Sequence, residues 1–132
     1  LPFPIFVKDI TNDFRYYYWN KESAAQSGIS SEEAIGHTDY EIYGEERGEK
    51  YRNIDKELVQ EGKVYRKEEK YITPDGITHD TIAVKSIISW EGEKRWLLAT
   101  RWEITQVLTS GLSILIKITG CNGKKQDKSP AW

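Results

Sequence analysis

Strand-like segments lie on both sides of one block of helical segments, and this order constrains the fold more than any other feature. Two such segments, 5–9 and 14–19, come before the block. Three more follow it, at 64–73, 77–90 and 95–105. Strands grouped in this way are typical of α+β folds, in which helices cover one face of an antiparallel sheet. The sequence therefore predicts an α+β domain.

The helical block carries local start signals for short helices. Asn20 is a good N-cap for a helix over 21–27. Ser30 is followed three residues later by a glutamate, and so is Thr38, and both match the capping-box pattern. We expect the helices that they begin to end at Gly36 and Gly44, so the block contains three short helices.

One longer helix is predicted over 45–61, because Gly62 follows it in the position of a helix stop. Tyr51, Ile54 and Leu58 are spaced so that they share one face of this helix. Most other positions are polar or charged. We therefore expect a single inward-facing stripe on a largely solvated helix.

The aromatic segment 14–19 is predicted to alternate its side chains between the two faces of a strand. Regular alternation puts Tyr16 and Tyr18 on one side and Tyr17 and Trp19 on the other. The rings are expected to supply much of the buried surface of a single domain of this length.

Composition argues against several classes of protein. The chain has 19 basic and 21 acidic side chains, so it lacks the basic excess that phosphate binding favours, and we expect no nucleic-acid partner. No apolar run is long enough to span a membrane. The single Cys121 suits a reducing compartment, which predicts a cytoplasmic location. The absence of any Met leads us to expect a segment of a longer protein.

Three motifs in this order resemble a bacterial PAS domain over about residues 3–105. They are an aromatic strand ending in Trp19-Asn20, the segment 28–36, and the closing Glu103-Ile104-Thr105. The resemblance implies a five-stranded antiparallel sheet in the order 2-1-5-4-3, with helices and a cavity on one face. It also implies a sensory or dimerisation module without catalytic activity, from a histidine kinase or a related regulator.

The resemblance divides the chain into a PAS-like sensor domain at 1–105 and a C-terminal linker or tail at 106–132. It assigns signal coupling to Glu103, Ile104 and Thr105, which would lead to an output domain further along the same chain. Glu103 stands where the family usually has Asp, so its carboxylate lies one methylene further out.

The sequence argues against the cofactors that PAS-like domains bind. A covalent flavin adduct needs a reactive cysteine on the helical side, whereas Cys121 lies beyond the domain. Haem commonly needs a histidine on the long helix, and 45–61 has none, while His37 and His79 fall in a loop and a strand. We also expect no metal site, because the glutamates that open the long helix suit its dipole. Those residues are Glu45, Glu46 and Glu49.

A small organic ligand between the long helix and the sheet remains a hypothesis, and the alternative is a core filled by the same side chains. Lys85 and Arg101 would serve an anionic ligand if they point inward, but alternation without a register leaves their facing open. The candidate pocket residues are Tyr18, Tyr40, Tyr51, Ile54, Leu58, Tyr71, Val84, Leu98 and Trp102.

Three functions stay open on the residues. The leading hypothesis is a sensory or relay module that binds a ligand or dimerises, and the second is a ligand-free dimerisation domain with a filled core. Dimerisation is expected through the sheet or the termini, with Trp90, Trp96 and Tyr65 on the outer sheet face. An enzyme would need acid–base groups converging in a cleft, for which the candidates are His37, Asp39, Asp55 and His79.

Overall fold

The computed structural model describes residues 3–104. Its first part contains strand β1 (Ile5–Asp9), a 3-10 helix (Ile10–Asn12), β2 (Arg15–Trp19) and helices α1 (Lys21–Ser27), α2 (Ser31–Ala34), α3 (Asp39–Tyr43) and α4 (Glu45–Glu61). Strands β3 (Tyr65–Ile72), β4 (Thr78–Trp90) and β5 (Glu93–Glu103) follow.

The five strands form one sheet in the order β2-β1-β5-β4-β3. Every neighbouring pair is antiparallel, and β1 lies directly beside β5. The predicted α+β class and strand order are confirmed. β5 thus lies between β1 and β4, and the chain leaves the sheet from an inner strand.

Helices cover one face of this sheet. The main core joins Ala34 of α2 and Leu58 of α4 to sheet residues such as Phe6, Leu97 and Ala99. A second, smaller cluster lies on the other face and contains no residue of α1 to α4. Its members are Ile82, Val84, Trp102 and Ile104.

Most helix ends lie where the capping signals place them. Asn20 accepts a hydrogen bond from the backbone of Ser23 at the start of α1, and complete capping boxes begin α2 and α3. Helix α4 has the predicted bounds and ends at Gly62. Helix α2 ends at Ala34 rather than at Gly36, because Ile35 already adopts an extended conformation.

The predicted alternation of β2 is wrong. A register shift between Val7 and Lys8 inserts an irregularity into the pairing of β1 with β2. Tyr16 and Trp19 are therefore both buried, and Tyr18 is 47% exposed. The bulge puts two large rings on the helical face, where their centroids lie 5.0 Å apart.

Tyr65 also differs from expectation. It packs against the main core rather than standing on the outer sheet face, and it pairs across the sheet with the buried Lys85. The last strand ends at Glu103. Thr105 and the predicted tail 106–132 lie outside the described residues. Among residues 3–104, no helix is both long and apolar enough to cross a membrane.

Candidate functional site

Buried charged side chains fill the space between the sheet and helices α3 and α4. Lys8 Nζ donates to Asp39 Oδ2 at 2.5 Å and to Asp55 Oδ2 at 2.6 Å, and the Tyr16 hydroxyl donates to Asp39 Oδ1 at 2.6 Å. Lys85 lines the same small cavity. These five residues are called the Lys8 cluster below. Removing charges from water is costly unless partners compensate, so an interior of this kind is unusual.

Local structure explains how the two carboxylates meet. Asp39 is the first residue of α3, directly after the N-cap Thr38, and Asp55 lies on the buried side of α4. The two helices approach closely at Gly48, where a Cβ atom would lie only 2.6 Å from the Tyr40 Cα. Glycine at this position therefore lets α3 and α4 bring both carboxylates to one amine.

The electrostatics of the cluster are strongly perturbed. Burial lowers the pKa of Lys8, but the attraction of Asp39 and Asp55 outweighs it and raises that pKa well above its usual value. Burial raises the pKa of Asp55, although both lysines oppose this. Burial likewise raises the pKa of the Tyr16 hydroxyl. For Lys85, burial lowers the pKa to about 8 despite the nearby Asp55.

The interior leaves almost no free volume around the cluster. A cavity of about 10 Å³ lies against Lys8, Asp55 and Lys85, which is room for no more than a single water molecule. Phe6, Tyr16, Tyr43 and Tyr51 complete its lining.

A second buried ion pair lies within the sheet. Arg101 of β5 donates from Nη2 to Glu69 Oε1 of β3 at 2.6 Å, and both side chains are 1% exposed. The guanidinium carbon of Arg101 lies 4.2 Å from the centroid of the Tyr71 ring. These two charged residues are called the Arg101 pair. Burial lowers the pKa of Arg101 to about 10, although Glu69 opposes the shift.

A groove of about 520 Å³ opens beside the Arg101 pair. Its polar lining comes from Ser27, Tyr43, Arg47 and Tyr71. Tyr43 also lines the small cavity, so one ring borders both spaces. The apolar lining consists of Ile29, Ile42, Ile72 and Pro74. The volume is in the range of small-molecule sites.

Arg47 is the charged residue of the groove lining. Its guanidinium carbon lies 4.3 Å from the centroid of the Tyr43 ring, and Nη2 donates to the Tyr51 hydroxyl at 2.9 Å. Burial of part of the side chain lowers the pKa of Arg47, but its contacts with Tyr51 and Tyr43 outweigh this and raise the pKa. Among residues 3–104, no carboxylate lies within ion-pair distance of it.

The structure separates the nine predicted pocket residues into groups. Tyr51 lines the small cavity and Tyr71 lines the groove. Ile54 and Leu58 belong to the main core. Tyr40 is directed to the surface of α3 and α4, where its hydroxyl donates to Glu49 at 2.6 Å.

The other four predicted pocket residues do not meet them. Val84 and Trp102 belong to the cluster on the outer face. Leu98 lies between the buried Leu97 and Ala99, so alternation also puts it on that outer face. The fourth, Tyr18, is exposed because of the bulge described above.

Two of the coupling residues lie at the end of β5. The Glu103 carboxylate contacts the His79 ring of β4, and a His79 ring nitrogen lies 3.1 Å from the Thr73 hydroxyl. Ile104 packs in the outer cluster, whereas Thr105 lies outside the described residues. The end of β5 is thus attached to β4 through a charged side chain.

The residues considered for catalysis do not form one constellation. Asp39 and Asp55 both bind Lys8. His37 is exposed after α2, and His79 is the second residue of β4. Within residues 3–104, no three His, Cys, Asp or Glu side chains converge as metal ligands would. The glutamates that open α4 accordingly form no such group.

Sequence reasoning missed Lys8 and Arg47. Lys8 stands two residues after Phe6 in β1, and this spacing would have predicted a shared inward face. Arg47 precedes Tyr51 by one helical turn, a spacing at which side chains on a helix meet. For Lys85 and Arg101, whose facing the sequence left open, the structure shows that both point into the interior.

Comparisons with known proteins agree with this architecture. A family model described as PAS fold matches residues 1–106. A relative from Sinorhizobium fredii, the uncharacterized protein y4lL, is 26% identical over 113 residues, and the match covers 83% of this chain. The match spans only 13% of that relative's length.

Solved structures share the fold at low sequence identity. The VqmA–ligand–DNA complex of Vibrio cholerae has a TM-score of 0.66 at 20% identity, covering 100% of this chain and 57% of that one. The LOV domain of a blue-light activated histidine kinase from Erythrobacter litoralis has a TM-score of 0.56 at 17% identity, covering 79% and 97%. A PAS domain from Colwellia psychrerythraea has a TM-score of 0.54 at 21% identity, covering 79% and 87%.

Proposed function

We propose, because this chain belongs to the PAS fold family, that it is the sensory or relay module of a bacterial signalling protein. The module binds a small organic ligand and passes a conformational change from the end of β5 to an output domain further along the same chain. A histidine kinase or a similar regulator is the parent that we propose, and a structural neighbour comes from such a kinase. The proposal keeps the cytoplasmic location expected from the single cysteine.

One observation carries this proposal. Tyr71 forms part of the groove wall, and its ring stacks on the guanidinium of Arg101. Arg101 belongs to β5, and this strand ends two residues later at Glu103. A ligand that prefers one packing of Tyr71 over another would therefore shift the strand that leads out of the domain.

Native mass spectrometry of the chain purified from cells tests ligand binding. The expected result is a stoichiometric mass excess that disappears when the protein is denatured. A control preparation, unfolded in denaturant and refolded after dialysis, should show the bare mass and regain the excess when it is mixed with a heat-treated cell extract. A bare mass in every preparation would contradict the sensory proposal.

The alternative is a ligand-free domain that only dimerises its parent, and the filled interior favours it. The cavity within the Lys8 cluster has about 10 Å³, and Trp90, the last residue of β4, is 65% exposed. Sedimentation velocity of the wild type and Trp90→Lys distinguishes the two. A wild-type dimer that weakens at least tenfold in the variant, with no bound ligand, supports the alternative, whereas a wild-type monomer excludes it.

A further inference from the structure

We propose that the groove binds a small organic carboxylate with an apolar or aromatic body, and that Arg47 pairs with its carboxylate. The inference rests on the proposed sensory function and names the class of ligand. Arg47, Tyr43, Tyr71 and the apolar residues around them form the site. Nothing in the Lys8 cluster contacts the ligand directly.

The charge of the groove lining favours an anionic ligand. Among residues 3–104, Arg47 is the ionisable cation of the groove lining, and no carboxylate lines the groove. Within the described part of the chain, Arg47 has no ion-pair partner. One of its donor groups binds the Tyr51 hydroxyl. A guanidinium has five N–H donors in a planar fork that matches a carboxylate, so donors remain for a ligand.

Each of the two aromatic rings that line the groove already stacks on a guanidinium. The Tyr43 ring already carries the Arg47 guanidinium at 4.3 Å, and the Tyr71 ring carries that of Arg101 at 4.2 Å. A cationic ligand would be repelled by Arg47 and would find a cation already stacked on each ring. An anion is attracted by Arg47.

The rest of the groove lining is apolar. Ile29, Ile42, Ile72 and Pro74 face the groove, and such a wall favours a ligand body that leaves water. The volume of about 520 Å³ accommodates an aryl or short alkyl group in addition to the carboxylate. A simple inorganic anion would leave this apolar surface uncovered.

Binding of a matched panel tests the proposal. Benzoate, phenylacetate, indole-3-acetate and octanoate are each compared with the corresponding primary amide by isothermal titration calorimetry on the full 132-residue chain. At least one acid is expected to bind at least tenfold more tightly than its amide. Equal binding of acids and amides, or no binding of any acid, would overturn the proposal.

Variants locate the site. Arg47→Gln is expected to lose at least tenfold in affinity for the acid, whereas Lys50→Gln, which removes a charge from the same helix outside the groove lining, should bind like the wild type. Ile72 is 65% exposed, so Ile72→Glu should fold normally and repel the acid, and Ile72→Gln is its neutral control. Unchanged binding in both Arg47→Gln and Ile72→Glu would overturn the assignment.

The two proposals fail differently. A neutral or cationic molecule found by native mass spectrometry would leave the sensory function standing and would refute the carboxylate assignment. A bare mass together with no binding of any acid would refute both.

Discussion

The Lys8 cluster and the Arg101 pair both put a cation of the inner sheet face into the interior, but they connect different parts of the molecule. Lys8 reaches from β1 to carboxylates on helices α3 and α4. Arg101 reaches from β5 across β4 to a carboxylate on β3. The first interaction therefore ties helices to the sheet, whereas the second stays within the sheet.

The two regions also differ in the number of carboxylates that bind one cation. Lys8 lies between two carboxylates, and Lys85 supplies a second amine nearby. Arg101 has one carboxylate at 2.6 Å and an aromatic ring. The groove borders the Arg101 pair through Tyr71. In the proposed function, a ligand therefore acts on the in-sheet pair while the Lys8 cluster holds the helices in place.

The largest loss of stability is expected for Lys8→Met. This change leaves two buried carboxylates without their shared cation, and the free energy of unfolding should fall by about 5 kcal/mol, at the upper end for a broken buried pair. Urea denaturation followed by tryptophan fluorescence measures it.

Lys70→Met is the matched control, because Lys70 pairs with Asp80 on the surface at 2.7 Å with both side chains mostly exposed. It should change stability by less than about 1 kcal/mol. A loss of stability in Lys8→Met no greater than in this control would mean that Lys85 compensates the two carboxylates in place of Lys8. The Lys8 cluster would then not depend on one shared cation.

A smaller loss, about 3 kcal/mol, is expected for Arg101→Met, because only the Glu69 carboxylate is left uncompensated. Adding Glu69→Leu should restore stability to within about 1 kcal/mol of the wild type. The reason is that replacing both members of a buried ion pair by apolar residues often costs no stability. The same treatment of Lys8→Met with Asp55→Leu should restore much less, because Asp39 remains. Equal recovery of stability in the two double variants, measured by urea denaturation, would show that the second carboxylate beside Lys8 makes no difference.

The smallest expected effect is a pH dependence of the free energy of unfolding that comes from Lys85. Its pKa is about 8 in the folded protein and 10.5 in the unfolded chain. Between these values the unfolded chain binds more protons at this site, so the free energy of unfolding should rise with pH, by at most about 1.4 kcal/mol per pH unit. Well below pH 8 the Lys85 amine is protonated in both states and contributes no slope.

Denaturation of the wild type and Lys85→Met from pH 7 to 10 measures this contribution as a difference between the two curves. Parallel curves would show that Lys85 keeps its charge as firmly as Lys8 does, and the Lys8 cluster would then hold two full positive charges.

Much of the fold could be predicted because its signals are local. The Asn20 cap, the two capping boxes and the Gly62 stop each depend on residues within four positions of one another. The site was less predictable. Tyr51, Tyr71 and Trp102 were all named from their aromatic character, but Trp102 packs in the outer cluster, because facing depends on which strands pair.

The sequence by itself determined where the helices begin, where most of them end, and how many strands residues 3–104 form, and it indicated the α+β class. Only the tertiary structure decided what faces inward. A single irregularity beside Lys8 turns Tyr16 and Trp19 to the same side, and a pattern of alternation cannot reveal such a shift. A buried lysine is stable only beside carboxylates that lie 31 and 47 residues away, so its role depends on contacts that no local segment contains.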